Sequence, residues 1–264
     1  MTFKAPESVK ARIRQANRLR LFLDYDGTLA EFAPTPEYVE PRKDVIALVN
    51  ELAQHPHIQS AVISGRRLGH VEELLPVPGI LLAGTYGVEL RLPDGEQVNR
   101  APFDQVRPVL RKIKPFWRAL IAGREGFFLE DKGWALAMHA LRAADDEAAD
   151  VLAKARQSAA GALKKVSPGL FRLLGGHKFL EVGPALAHKG TTVEYLLARF
   201  PSPDALPVYV GDDDKDEEAF TVIHAHGGVA VRVSQGPCDT EADGLLASPQ
   251  DVRRWLQGVA APLE

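Results

Sequence analysis

Two apolar periods alternate along this chain, and their alternation constrains the fold more than any single residue does. "LRLFLDY" (19–25) is a short continuous apolar run, the pattern of a strand covered on both faces. "PRKDVIALVNELAQ" (41–54) then places Val45, Leu48, Val49 and Leu52 on one helical stripe, with a proline near its start. "IQSAVISG" (58–65) predicts a strand, "RLGHVEELL" (67–75) a helix and "ILLAGTYGVEL" (80–90) a strand. This β-α-β-α-β succession predicts an α/β fold, a Rossmann-like, doubly wound parallel sheet. Such sheets bind ligands at the carboxyl ends of their strands.

The rhythm breaks once. From about residue 104, strand pairs around "EDKG" and "GG" interleave with two helical stretches, "QVRPVLRKIKPFWRALIAG" and "DDEAADVLAKARQSAAGAL". Strand and helix then alternate again through "HKGTTVEYLLARF", "LPVYVGDDD", "DEEAFTVIH", "GGVAVRVS" and a final serine-capped helix, "SPQDVRRWLQGVA". The expected organisation is a core of residues 1–103 and 185–264, with an α+β domain of residues 104–184 inserted into it.

Composition removes some function classes. With 264 residues, 45% hydrophobic and 25% charged, the chain is ordinary globular protein, long enough for a real core. A formal net charge of -3 offers no general attraction to nucleic acid or an anionic membrane, and neither partner is expected. The start lacks the apolar centre of a signal peptide, and no stretch approaches the roughly 18 apolar residues of a spanning helix. One cysteine, Cys238, fits a reducing cytoplasm.

The strand ends carry the chemistry. Asp24 and Asp26 stand two apart at the end of the first strand, so in extended geometry both carboxylates point one way. Like charges placed so closely cost stability unless a cation or a proton separates them. The late strand ends in Asp212, Asp213, Asp214 and Asp216, on the same edge of a parallel sheet. An all-oxygen carboxylate set suits Mg²⁺, a hard cation. "VISGR" adds Ser64 and Gly65 as donors for a phosphate oxygen, and "HKG" adds Lys189 as a fixed cation. Taken singly, each has an ordinary alternative: an Asp-Gly turn, an acidic helix start, a serine cap, a solvated lysine.

Taken together and in order, D-x-D-G-T-L, S-G-R, K-G and G-D-D-x-x-D-E resemble the four motifs of the haloacid dehalogenase superfamily of phosphatases. The insertion resembles that superfamily's larger α+β cap, its C2 type. The resemblance implies that Asp24 is the nucleophile and Asp26 the acid/base. It implies Mg²⁺ held by Asp24, the carbonyl of Asp26 and Asp212, with Ser64 on the transferring oxygens. Asp213 or Asp216 would orient Lys189 or metal-bound water.

The insertion narrows the substrate. "LEDKGWALAMHALR" (129–142) and "HKFLEVGP" (177–184) are similar to the cap of trehalose-6-phosphate phosphatases. That similarity implies sugar contacts from Glu130, Lys132 and Glu181, with His139 and Arg142 nearby and Gly65 and Arg66 on the phosphate side. "GTYGVEL" resembles the same family's strand end, with Glu89 and Arg91 shaping the core side of the pocket. Two positions depart from the pattern. Lys215 stands where threonine is usual, which leaves the geometry around Asp216 open, and Arg142 is spaced one residue wider than H-x-R. The expectation is a monomeric cytoplasmic phosphatase of a phosphosugar. The alternatives are a phosphatase of another sugar or glycosyl-glycerate phosphate and an inactive phosphosugar sensor. No G-x-G-x-x-G follows the first strand, so a nucleotide-dependent reductase lacks its fingerprint.

Overall fold

The computed structural model describes residues 3–32, 40–164, 166 and 168–260. The chain forms two compact units, Met1–Val98 with His188–Glu264, and Asn99–Ala187. The first unit begins with α1 (Glu7–Gln15), β1 (Leu19–Leu23), α2 (Lys43–Gln54), β2 (Ile58–Ile63), α3 (Leu68–Leu74), β3 (Leu81–Gly84), β4 (Glu89–Arg91) and β5 (Gln97–Asn99). The second unit contains α4 (Phe103–Leu120), β6 (Phe128–Asp131), β7 (Leu136–His139), α5 (Asp145–Leu163), β8 (Phe171–Gly176) and β9 (Phe179–Pro184). The first then resumes with α6 (Lys189–Arg199), β10 (Leu206–Gly211), α7 (Asp214–Ala225), β11 (Val229–Val233), β12 (Gly244–Leu246) and α8 (Pro249–Ala260).

The first unit is α/β, built on an eight-stranded sheet in the order β12-β11-β10-β1-β2-β3-β4-β5. From β12 through β3 every pairing is parallel, which puts the carboxyl ends of β1, β2, β3 and β10 on one edge. The continuous apolar run of β1 has the expected cause, since all five of its residues are buried. Alternate side chains feed two cores. Leu21, Leu23, Val62 and Val210 pack with Val45, Leu48, Val49 and Leu52 of α2 and with Val252 and Leu256 of α8. Phe22, Ala61, Ile63 and Tyr209 pack with Val193 and Leu196 of α6 and Phe220 and Ile223 of α7. Each fully buried aliphatic side chain contributes about 1.5–3 kcal/mol.

One stretch differs from its sequence pattern. Residues 80–90 do not form one strand, because β3 ends at Gly84 and a tight turn at Thr85–Gly87 sends β4 back antiparallel. Thr85 and Tyr86 both take positive φ, 48° and 54°, a costly conformation for non-glycine residues.

The second unit has a four-stranded antiparallel sheet, β6-β7-β9-β8, with α4 and α5 against it. Trp117 of α4 is fully buried and donates its indole N–H to the Ala155 carbonyl of α5 at 3.0 Å. The β8–β9 turn falls at His177 and Lys178 rather than at the two glycines, which extend β8, and Lys178 takes φ 49°. Period-two alternation sorts the sheet. Leu136, Met138, Leu180 and Val182 occupy the face of Asp131, which bonds to α4, while Glu130, Ala137 and Glu181 lie in one row across the other face.

Candidate active site

Asp24 follows the last residue of β1, where its backbone N–H still bonds to the Val210 carbonyl of β10 at 3.0 Å. The residue is 5% exposed and its side chain pairs with Lys189, the first residue of α6, at 2.9 Å. Lys189 Nζ also donates to Asp216 Oδ1 at 2.6 Å and lies 4.0 Å from Asp213 Oδ1. Asp212 joins them from the end of β10, steadied by the Thr28 hydroxyl at 3.2 Å. Oxygens of Asp24, Asp212 and Asp216 lie within 4.8 Å of one another, so three buried or half-buried acids could together hold a metal ion.

Asp216 has another task. Its Oδ1 accepts from Lys189 and from the Tyr209 hydroxyl at 2.7 Å, while its Oδ2 accepts the backbone N–H groups of Asp212 and Asp213 at 3.0 Å each. Four donors fill its acceptor sites, so it organises the loop and orients the lysine. Asp24 and Asp212 carry the open carboxylate oxygens of the three. Gly27 shapes the same spot, for at φ +79° its missing Cβ would stand 2.3 Å from Asp212 Oδ2.

The electrostatics of the cluster are those of crowded acids. Burial first, then the neighbouring Asp216, pushes the Asp212 carboxyl up to about 7. Burial also drives Asp24 well above the usual carboxylate range, against the pull of Lys189. Asp213 goes the other way, because Lys189 and Lys215 outweigh its burial and hold its carboxyl low. Lys189 stays charged despite full burial, since Asp216 and Asp24 flank it.

Asp26 is separated from Asp24 by its partner. Arg66 grips it with two bonds of 2.7 Å, Nε to Oδ2 and Nη2 to Oδ1, so each of the paired acids has its own cation. Ser64, 1% exposed, sits after β2 and its hydroxyl accepts the Arg66 N–H at 3.1 Å. The strained turn fastens this loop from the side: Thr85 N–H donates to the Arg66 carbonyl at 2.6 Å and Tyr86 N–H to the Ser64 carbonyl at 2.8 Å. Glu89 holds the turn in place, accepting from the Thr85 hydroxyl at 3.0 Å and the Leu68 N–H at 3.2 Å. A methyl group on Gly65 would meet the Tyr86 ring at 2.8 Å, so glycine is required there.

In the second unit, Lys132 and Glu181 form a buried pair at 2.7 Å, and His139 meets Glu130 at 3.0 Å. Arg142 stands exposed three residues beyond β7. Sequence reasoning missed Asp131, which is gripped by Arg107 at 2.6 and 2.9 Å and by Lys114 at 2.6 Å, and so ties the "EDKG" hairpin to α4. It also missed Tyr209 and the Thr85–Gly87 turn. Alternation along β6 could have placed Asp131 opposite Glu130, whereas nothing local announces the other two.

Lys215 does not disturb Asp216. It turns to Asp213, giving its backbone N–H to Oδ1 at 2.9 Å and its Nζ to Oδ2 at 2.7 Å, and Asp213 caps α7 in a reciprocal box with Asp216.

Comparison with known proteins follows the same lines. A family model described as trehalose-phosphatase matches residues 22–248. A trehalose-phosphate phosphatase of Mycobacterium marinum is 32% identical over 253 residues, covering 93% of this chain and 62% of that protein. The probable trehalose-phosphate phosphatase 2 of Oryza sativa subsp. japonica is 29% identical, with 94% and 70% covered. The chain thus spans a little under two thirds of the length of its mycobacterial relative. Among solved structures, the C-terminal domain of C. albicans trehalose-6-phosphate phosphatase superposes with TM-score 0.84 at 21% identity, covering all of both chains. The C-terminal domain of the Candida albicans trehalose synthase regulatory protein superposes with TM-score 0.75 at 12% identity, over 98% of this chain and 99% of that one. At these identities the structural likeness is one of fold.

Proposed function

The chain belongs to the trehalose-phosphatase family, and from that premise we propose that it hydrolyses trehalose 6-phosphate to trehalose and phosphate through a phosphoaspartate on Asp24. The observation that carries this reading is the pairing of a buried Asp24 with Lys189, beside an Asp212 carboxyl pushed up to about 7. Such a surplus of acid is the counterpart of a divalent cation and a phosphoryl dianion. The donor chemistry fits Mg²⁺, because every available ligand atom is an oxygen and two carboxylates have open positions. Asp24, Asp212 and the Asp26 carbonyl would hold it. When bound it supplies charge neutralisation between the Asp24 carboxylate and the phosphoryl oxygens.

The side chains divide the work. An Asp24 oxygen attacks phosphorus while the ester P–O bond breaks, and Asp26 gives its proton to the departing sugar hydroxyl. Water then attacks the same phosphorus, Asp26 takes the water's proton, and the bond to Asp24 breaks. The Arg66 fork takes one acceptor position on each oxygen of Asp26 and fixes the orientation of its carboxyl. A substrate phosphate competes for that guanidinium. Ser64, Gly65 and the amides of Tyr25 and Asp26 hold transferring oxygens, and Lys189, oriented by Asp216, offsets charge on Asp24.

Glu130, Lys132 and Glu181, with His139 and Arg142, read the sugar in this proposal. Charged groups on a rigid sheet make directional hydrogen bonds to hydroxyls, and a disaccharide offers many. The reading includes a monomeric cytoplasmic enzyme. A net charge of -3 and a single, exposed cysteine support its independence of nucleic acid and of disulfides.

Phosphate release tests the proposal with trehalose 6-phosphate, sucrose 6-phosphate, glucose 6-phosphate, glucosyl-3-phosphoglycerate and p-nitrophenyl phosphate, each with Mg²⁺ or EDTA. A strong Mg²⁺-dependent preference for trehalose 6-phosphate is the expected result. Turnover spread over the other esters would keep the chemistry and discard the substrate. No metal-dependent release from any ester would leave a phosphosugar sensor.

A further inference from the structure

Asp213 is the one acid of the cluster with two ammonium groups facing it. Its Oδ2 accepts from Lys215 Nζ at 2.7 Å, and its Oδ1 lies 4.0 Å from Lys189 Nζ. Its backbone is fixed on both sides: the N–H donates to Asp216 Oδ2 at 3.0 Å, and the carbonyl accepts from Arg232 Nη1 at 2.9 Å. The Asp213 side chain caps α7 through backbone N–H groups, and the Lys215 ammonium adds a charge at its second oxygen. The neighbouring Asp212 and Asp24 keep open oxygens, as shown above, whereas Asp213 Oδ1 accepts the Lys215 backbone N–H and Oδ2 its ammonium.

Resting on the divalent-cation reading of the cluster, we infer that Lys215 is a resident counter-ion that withholds Asp213 from the cation and sets Mg²⁺ affinity below what the carboxylates alone would give. The physical argument is one of competing charge. A fixed monovalent cation close to a divalent site repels the incoming ion, and it also removes a carboxylate from the set that attracts it. The ammonium belongs to the chain, so the substrate-free cluster has a cation beside Asp213. That lowers the repulsion the acids would otherwise suffer and makes the cation exchangeable.

Calorimetric titration of Mg²⁺ into the substrate-free protein tests this, with Lys215→Met and Lys215→Arg beside the wild type. Lys215→Met is expected to bind Mg²⁺ roughly three- to tenfold more tightly, with the gain fading as salt is added. Lys215→Arg, which keeps the charge, is expected to match the wild type. Melting in EDTA supplies a second readout, in which Lys215→Met loses thermal stability and Mg²⁺ restores it. Unchanged or weaker Mg²⁺ binding by Lys215→Met would overturn the inference, as would Lys215→Arg behaving like Lys215→Met. Either result would leave the cation site itself standing. A wild type that binds no Mg²⁺ would overturn the cation reading and this inference together.

Discussion

The acids at the sheet edge and the charges of the second unit's sheet are balanced in opposite ways. At the edge, Asp24, Asp212, Asp213 and Asp216 share Lys189 and Lys215, and burial together with neighbouring acids pushes the Asp24 and Asp212 carboxyls up. In the second unit every named acid has its own base: Glu181 has Lys132, Glu130 has His139, and Asp131 has both Arg107 and Lys114. In the proposed reading, the edge is left electrostatically incomplete for a cation and a dianion, and the second unit's sheet has its charges paired in advance, so that ordering costs are met on folding.

The largest effect expected from this contrast is in the incomplete site. Asp24→Asn should lower phosphate release at least about 10⁴-fold while the fold persists, checked by circular dichroism and by melting. An active Asp24→Asn protein would sink the covalent step. In the completed surface the effect should fall on stability and selectivity instead. Glu181→Leu removes the carboxylate that meets buried Lys132 at 2.7 Å and is expected to lower the melting temperature, and Lys132→Met added to it should recover part of that loss. The double variant should still lose far more activity on trehalose 6-phosphate than on p-nitrophenyl phosphate, and equal losses on both would argue against sugar reading by this face.

The smallest effect sharpens the comparison through pH. Asp212 has a raised carboxyl, so its contribution to metal-free stability is complete below the unfolded value, about 3.9, and is lost as pH rises through about 7. Asp131 has a lowered carboxyl, held down by Arg107 and Lys114 against its burial, so its contribution is present above about 3.9 and is lost as pH falls. Melting curves in EDTA should show Asp212→Asn flattening the decline toward pH 7, and Asp131→Asn flattening the decline on the acid side. The reverse assignment would contradict the charge balance drawn here.

Much of this was legible in the sequence because its signals are local. Apolar runs such as 19–25 and the stripe of Val45, Leu48, Val49 and Leu52 marked strand and helix, and the right order of strands brought Asp24 and Asp212 to one edge. Side-chain pairings, near or far in the chain, were not legible. The Arg66 fork on Asp26 joins residues 40 apart, and Tyr209 reaches Asp216 only because β10 runs directly into α7. The Thr85–Gly87 turn hid within an apolar run, since positive φ at Thr85 and Tyr86 is imposed by tertiary bonds rather than by side-chain preference.

The order of strands has one more consequence, for the birth of the molecule on the ribosome. β1 is held between β2 and β10, yet Leu21 waits for Val208, and the whole of residues 99–187 is synthesised in between. The second unit is contiguous in the chain and can fold while the first is still missing three of the eight strands of its sheet. Until β10 emerges, β1 is an apolar strand with an unpaired edge, and Asp24 has neither Lys189 nor Asp212 beside it. A nascent chain therefore lacks the strand that closes one edge of β1 for the time needed to translate nearly two hundred residues. Asp24, Lys189 and Asp212 come together only after the second unit has been made.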